Sequence, residues 1–409
     1  MSAAPFAPGP RPDAGGSGLS VALFVDSFTP ITDGVTVAVR NCAYWLERRL
    51  GPTWVVTPRV PSHSDDERFG VVRFLSIPTF VHQPYRLGLA GLDLGLRRDL
   101  KRRDFSIIHA HSPFSAGRAA LRTAREKGVP IVATFHSKFR ENLCRALRLE
   151  CLVRDQVKRI AHFLYSVDRV WIPQRSVAAT LREYGYDGPF EVVENGIDFA
   201  PPPDPAPYRD RGGRHLGLFE EARVGLFVGQ HIAEKNLEFL LRSLPAVIAR
   251  VPDFRLVMVG QGGAKRRLQR LSHDLGLEDR VIFHDVVQDR ELLKAIYARG
   301  DLFLLPSLYD NAPLVVRESA ALGTPSLLVR GSTAAEVIRD GENGFLADAD
   351  EEAFAAKIVQ VIRDPGRLKT AGEGARRELC RSWESVATEI GERYRSILSK
   401  GPAWAGRKL

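Results

Sequence analysis

Two carboxylates eight residues apart, Asp310 and Glu318, lie in the segment LFLLPSLYDNAPLVVRESAALGTPSLLV, Leu302 to Val329. The apolar run before Asp310 reads as a buried strand and the residues from about Leu314 as a helix. One acid therefore falls in a strand-to-helix loop and the other a turn into the helix. Carboxylates so placed grip hydroxyls, and the first N–H groups of the helix between them can hold a phosphate. A ligand with hydroxyls at both ends and a diphosphate between them, a sugar nucleotide, suits the arrangement. For this segment in isolation, a helix with a capping Asp and an exposed Glu is the favoured reading. Lys235, in VGQHIAEKN (Val228–Asn236), sits at another strand-to-helix junction, where a cation can meet phosphate oxygens; a surface lysine paired with Glu234 is the alternative. Gly34, in DSFTPITDGVTVAVRN (Asp26–Asn41), precedes a helix from about Val35, so backbone could approach an anion there unless the glycine serves only the turn. Three histidines, His109, His111 and His136, fall at or beyond strand ends. His-x-His could bind a metal, but no third ligand has suitable spacing, and hydrogen bonding or proton handling fits better.

Other patterns exclude functions. VMVGQGGAKRRL (Val257–Leu268) has Lys265 at the third glycine position of G-x-G-x-x-G, which disfavours a nicotinamide-dependent dehydrogenase. The four cysteines, Cys42, Cys144, Cys151 and Cys380, form no CxxC pair, which argues against a zinc site or a disulfide framework and for a reducing compartment. No apolar run approaches the roughly 18 residues of a membrane span. The start, MSAAPFAPGPRPDAGGSGLS, reads as a flexible Pro/Gly/Ala tail over residues 1–19 rather than a secretory signal. The net charge is +9, but residues 97–182 hold 19 Lys and Arg against 7 Asp and Glu. Nucleic acid, anionic lipid or a phosphorylated substrate could meet that excess; solvated helix surface is the plain alternative. No RNA-binding, zinc-finger or helix-turn-helix pattern accompanies it, so nucleic acid is not expected.

These residues need a scaffold. Strands are predicted at Val21–Val25, Thr53–Thr57, Val71–Leu75, Ser106–His109, Pro130–Thr134, Arg169–Ile172 and Glu191–Val193, with helical patterns such as Thr36–Leu50 and Ala116–Lys127 between them. The alternation resumes at Arg223–Val228, Arg255–Val259, Val281–Phe283, Leu302–Leu305 and Ser326–Val329. Strands apolar throughout imply burial on both faces, hence α/β architecture with two parallel sheets. The boundaries expected are an N-terminal domain over 20–200, a Pro/Gly-rich linker over 201–216, a C-terminal domain over 217–382 and a final helix over 383–399. In such sheets ligands bind beyond the carboxyl ends of strands, where every residue singled out above falls.

In this order and spacing the motifs resemble a retaining glycosyltransferase of the GT-B fold, family 4, over nearly all of residues 20–399. They are the glycine loop ending at Gly34, His136, the pair Glu234–Lys235, the acids Asp310 and Glu318, LGTP at Leu322–Pro325 and GENGF at Gly341–Phe345. The resemblance implies two Rossmann-like domains facing a central cleft, with the C-terminal helix crossing back to the N-terminal, acceptor-binding domain. It implies transfer of a hexose from a nucleoside-diphosphate sugar to a hydroxyl, without metal or cofactor. Gly34 would approach the diphosphate, Lys235 neutralise it as it leaves, and the amides of Leu314 and Val315 contact phosphate. Asp310 would hold hydroxyls of the donor sugar, Glu318 the ribose, and His136 the donor sugar near the reacting carbon. No protein nucleophile is evident, so front-side displacement is favoured.

This chain departs from the family pattern at three places. Gln230 stands where an arginine is usual, and Gln cannot supply its charge. Asp310 is one methylene shorter than the usual Glu. Asn311 and Pro313 replace glycines, and Pro313 has no N–H to donate. The basic excess is similar to that of transferases that glycosylate membrane lipids. His111, Lys138, Arg140, Arg145 and Arg148 are accordingly read as an acceptor or membrane patch on the inner face of the plasma membrane, a polysaccharide precursor being the other acceptor. A cytoplasmic monomer or weak dimer is expected. A sugar-nucleotide epimerase and an inactive sugar-nucleotide-binding protein are the alternatives.

Overall fold

The computed structural model describes residues 18–79, 85–136, 138–147 and 149–402. The tail expected over 1–19 thus lies almost wholly outside the described residues. The described residues form two compact units: Ile197–Ser382, and residues 18–196 together with 383–402.

The first unit contains β1 (Val21–Phe24), β2 (Thr53–Pro58), β3 (Gly70–Phe74), β4 (Ser76–Pro78), β5 (Arg86–Gly88), β6 (Ile107–Ala110), β7 (Ile131–Thr134), β8 (Arg169–Ile172) and β9 (Glu191–Val192). Seven of these make one parallel sheet in the order β3-β2-β1-β6-β7-β8-β9, while β4 and β5 form a separate antiparallel hairpin. Its helices are α1 (Gly34–Arg49), α2 (Leu94–Arg102), α3 (Ser115–Lys127), α4 (Arg140–Leu147), α5 (Glu150–Tyr165) and α6 (Val177–Glu183). The inner strands β1 and β6 are buried along their whole length, as continuous apolar runs covered on both faces require.

The second unit repeats the plan with β10 (Arg223–Val228), β11 (Phe254–Val259), β12 (Val281–His284), β13 (Leu302–Leu305), β14 (Ser326–Val329) and β15 (Phe345–Ala347), all parallel, in the order β12-β11-β10-β13-β14-β15. Its helices are α7 (Ala206–Leu216), α8 (Leu237–Ile248), α9 (Lys265–Asp274), α10 (Arg290–Arg299), α11 (Leu314–Ala321), α12 (Glu351–Ile362) and α13 (Pro365–Leu379). The expected α/β chain of two Rossmann-like parallel-sheet domains holds. In each sheet the strand order reverses at one point, between β1 and β6 and between β10 and β13, the place where sheets of this kind bind their ligands.

The linker expected over 201–216 is corrected. Ala206–Leu216 is helix α7, packed on α10 so closely that a Cβ on Gly212 would lie 2.1 Å from the Ala295 carbonyl oxygen. The glycines that looked like a loop signal are contact residues of a helix pair. Arg209, on the same helix, reaches Asp301 at 2.5 Å.

The last helix, α14 (Trp383–Lys400), belongs with the first unit. Gly391 lets it approach Leu50, Glu384 pairs with Arg49, and the buried Tyr394 hydroxyl lies 2.7 Å from His109 Nδ1. Among the described residues, no helix is long and apolar enough to cross a membrane, and no three His, Cys, Asp or Glu side chains group as metal ligands.

Candidate active site

The second unit places Lys235 and Asp310 together at its switch point. After β10 the chain makes a 3-10 turn, Ala233–Lys235, and leaves it through Asn236 in the left-handed conformation (φ 55°), which Asn tolerates better than most residues. That turn is fastened to the loop after β13. Ser307 Oγ donates to the Glu234 carbonyl at 3.1 Å, and Asn236 Nδ2 to the Pro306 carbonyl at 3.3 Å. Lys235 Nζ consequently meets Asp310 Oδ1 at 2.5 Å, both side chains being about four-fifths buried (18% and 20% exposed). The lysine's partner is thus Asp310, not Glu234. The other oxygen, Asp310 Oδ2, is buried with no hydrogen-bond partner among the described residues, an acceptor waiting for a hydroxyl.

Two residues beyond Asp310, Ala312 adopts φ 43°, a left-handed conformation that costs an alanine about 1 kcal/mol or more. It turns the chain into α11, which starts at Leu314 after Pro313. No side chain caps this helix, and the N–H groups of Leu314 and Val315 donate to no acceptor among the described residues. Unsatisfied amides at a helix start are a ready anion site.

Glu318 is 7% exposed, so the exposed-carboxylate reading is corrected. Its Oε2 accepts from the Tyr297 hydroxyl at 2.7 Å and its Oε1 from Arg290 Nη2 at 3.0 Å; Arg290 also pairs with Asp198. Burial opposes the guanidinium charge, but the carboxylates of Glu318 and Asp198 outweigh it and hold the Arg290 pKa above its ordinary value. Each Glu318 oxygen keeps acceptor capacity for a ligand hydroxyl. Arg290, Tyr297 and Asp198 escaped the sequence reading, because nothing in their spacing marks them as neighbours of Glu318.

Gln230 is exposed, and the adjacent His231 is fully buried. Burial, helped by Lys265, pushes the His231 pKa down to about 4, so it does not replace the missing cationic side chain at neutral pH. The glycine-rich turn after β11 has a packing role here. Gly260 and Gly262 sit at φ 144° and 157°, where Cβ atoms would lie 1.9 Å from the Gly229 carbonyl oxygen and 2.3 Å from that of His231.

In the first unit, Gly34 begins α1 behind the capping residue Asp33, whose Oδ1 accepts from Thr36 N–H at 2.7 Å. A Cβ on Gly34 would meet nothing within 4 Å, so the protein's own packing does not require glycine there. Asp26, in the same loop, accepts from Ala116 N–H at 2.9 Å and from Ser112 Oγ at 2.7 Å, tying the loop to the start of α3.

The three histidines form one cluster. His109 and His111 rings lie 4.0 Å apart between centroids, and His111 stacks on His136 at 5.2 Å. His111 Nδ1 and His136 Nε2 are 2.9 Å apart, so one donates and the other accepts, which ties their tautomers together. His109 is bound at both nitrogens, by Tyr394 Oη and Thr134 Oγ1, each at 2.7 Å. Placing His111 in a surface patch is corrected: it is 4% exposed and buried in this cluster. Of the other patch residues, Arg140 pairs with Glu150 and Lys138 is partly buried. The Arg145 side chain and all of Arg148 lie outside the described residues.

Burial depresses all three imidazoles, His109 to about 3 and His136 to about 4, with His111 well below the ordinary value. Between about pH 6.5 and 3 an unfolded chain binds protons that folded His109 refuses. Its contribution is therefore complete above pH 6.5 and is lost as the pH falls. By pH 4.5 the loss from His109 alone is about 2 to 3 kcal/mol. Urea unfolding at pH 7.5 and 4.5 should show that drop, and His109→Asn should shrink it; equal slopes for both proteins would contradict this account.

Two Rossmann-like parallel-sheet domains, one with a lysine, a carboxylate and an uncapped helix start at its switch point, have the architecture of the GT-B class of glycosyltransferase. Family models agree: "Glycosyltransferase Family 4" matches residues 32–200 and "Glycosyl transferases group 1" residues 212–378. The chain belongs to glycosyltransferase family 4, and it is a glycosyltransferase. It is 30% identical over 322 residues to a D-inositol 3-phosphate glycosyltransferase of Salinispora arenicola, covering 73% of this chain and 70% of the relative. It is 24% identical over 352 residues to an alpha-monoglucosyldiacylglycerol synthase of Streptococcus pneumoniae, covering 85% and 79%. Among solved structures, a sucrose-phosphate synthase from Thermosynechococcus elongatus superposes with TM-score 0.77 at 21% identity, covering 94% of this chain and all of that one. Anabaena HepE in complex with UDP and glucose gives 0.73 at 18%, covering 93% and 100%. The epimerase and binding-protein alternatives gain no support from these matches.

Proposed function

We propose that this glycosyltransferase moves a hexosyl group from a nucleoside-diphosphate sugar to a hydroxyl with retention at the anomeric carbon and without a metal ion. The observation that carries this is the 2.5 Å pair of Lys235 and Asp310 beside the free amides of Leu314 and Val315. As the bond between the anomeric carbon and phosphate oxygen breaks, positive charge grows on the sugar and negative charge on the diphosphate. A lysine and amides already fixed near that diphosphate stabilise the second charge without reorganising. Asp310, through its unpaired Oδ2, takes hydroxyls of the sugar, and Glu318 those of the ribose. For His136 we assign a hydrogen bond to the donor sugar, and for Gly34 a close backbone approach to the diphosphate. In the front-side route the acceptor oxygen bonds to the anomeric carbon on the face that the phosphate leaves. The acceptor's proton passes to the departing phosphate oxygen, so no protein base or nucleophile is used.

HepE, with UDP and glucose, supports a nucleotide-sugar donor by analogy. The diacylglycerol glycosyltransferase relative supports a membrane-lipid acceptor, and with it peripheral attachment to an anionic membrane face. A panel of UDP- and GDP-sugars should contain one that raises the melting temperature, since a ligand bound only by the folded state stabilises it. With that donor in EDTA, the product's anomeric coupling by NMR should match the donor's configuration. An inverted product would end the retaining proposal, and loss of activity in EDTA restored by a divalent ion would end the metal-free one.

A further inference from the structure

Away from the strand ends, the first unit carries a group of exposed apolar side chains. The hairpin pairs Ile77 with Leu87 in direct register, and Leu75 lies two residues before Ile77, on the same face. All three are exposed, and Leu92 and Leu94 are more so, at 73% and 76%. Asp93 holds this group in place: its Oδ2 accepts from Leu75 N–H at 2.8 Å and its Oδ1 caps α2 through Leu96 N–H at 2.9 Å. The two leucines flanking Asp93 are therefore displayed by an ordered turn.

Beside Leu92 opens a cavity of about 210 Å³, lined also by Gly88, Gly91, Ser115, Arg118 and Arg122. Ser115 Oγ accepts from Ala90 N–H at 3.0 Å, fixing α3 against the turn that carries Leu92. Arg118 and Arg122 are one helical turn apart and both exposed, and among the described residues neither side chain makes a hydrogen bond or ion pair, Arg118 feeling only the charge of the buried Asp26 carboxylate. Two exposed guanidinium groups with no carboxylate in ion-pair contact favour a phosphate. A site for a free anion has no use for a rim of exposed aliphatic side chains. A phospholipid has both a phosphate and, just beneath it, an apolar layer.

We propose that this surface docks the protein on an anionic bilayer, Arg118 and Arg122 taking a lipid phosphate in the cavity while Ile77, Leu87, Leu92 and Leu94 enter the interfacial layer. It rests on the membrane-acceptor reading above and replaces the patch around Arg140 as the contact surface. Flotation with phosphatidylcholine vesicles, with and without phosphatidylglycerol, tests it. Wild-type protein should float with the anionic vesicles. At roughly a tenfold loss per 1.4 kcal/mol and about 1 kcal/mol per arginine, Arg118→Ala/Arg122→Ala should lower the partition coefficient about 30-fold. Leu92→Asp/Leu94→Asp should abolish flotation, and Lys138→Ala/Arg140→Ala should leave it unchanged. Equal flotation of the Arg118/Arg122 variant, loss only in the Lys138/Arg140 variant, or no wild-type flotation would each overturn the proposal. So would a thermal shift by glycerol 3-phosphate that needs both arginines without any vesicle binding, which would mark a soluble-anion site. The donor's own thermal shift, measured on every variant, reports folding. If no donor shifts even the wild type, the donor reading fails while the flotation result stands.

Discussion

Lys235→Ala should lower kcat by roughly 100- to 1,000-fold while changing the donor KM much less. The asymmetry follows from when the charge appears. In the bound donor the diphosphate shares its charge with the sugar bond; in the transition state it takes up a further full share, and a cation gains most there. The short pair with Asp310 shows that the lysine is held in place before any donor arrives, so its orientation is settled in the folded protein. With Gln230 and the neutral His231 at the neighbouring positions, neither side chain can make up the loss. Structural damage is separable from lost catalysis. Lys235→Ala leaves Asp310 as a largely buried carboxylate without its partner, which destabilises the fold. Adding Asp310→Asn removes that stranded charge and should restore much of the stability but none of the kcat. Unfolding curves and steady-state kinetics on Lys235→Ala, Asp310→Asn and the double variant separate the two effects, because Asp310→Asn by itself reports the loss of the contact to the sugar. Recovery of kcat along with stability would show that the lysine serves the fold alone.

The scaffold was largely legible because its strands are short apolar runs that composition alone marks. Arg169–Ile172, Arg223–Val228, Leu302–Leu305 and Ser326–Val329 were placed to the residue, and the start of α11 fell at Leu314. What escaped was short or set by distant partners. The hairpin strands Ser76–Pro78 and Arg86–Gly88 and the edge strand Phe345–Ala347 have three residues each, too few for any periodicity to register. Gly212 and Gly213 read as loop because a local window does not contain Ala295 and Arg299, the residues they pack against. The site divides the same way. Lys235 and Asp310, 75 positions apart, were found by residue type and by their place after strands, but their direct contact was not foreseen. A place just beyond β6 does not reveal that His111 is buried, because the rings of His109 and His136 that pack against it come from separate positions in the chain.

Arg290 shows most plainly what tertiary contact adds, and it bears on the second large effect. Glu318→Gln should raise the donor KM about 10- to 100-fold, the range of a lost charge-assisted hydrogen bond, with a smaller change in kcat. Glutamine keeps the volume and one oxygen, so Tyr297 retains an acceptor; Arg290 loses its bond to residue 318 but stays neutralised by Asp198. The fold should therefore survive, and the change reads out ligand binding. Glu318→Ala differs, since it opens a hole beside a buried guanidinium and leaves the Tyr297 hydroxyl without its acceptor, and several kcal/mol of stability should go with it. A donor lacking the ribose 2′-hydroxyl identifies what Glu318 holds. It should bind wild-type protein about tenfold more weakly than the full donor, yet bind Glu318→Gln as well as the full donor does, because the interaction the hydroxyl would lose is already gone. If the two donors still differ tenfold on Glu318→Gln, the carboxylate does not touch the ribose, and its burial between Arg290 and Tyr297 is a matter of packing.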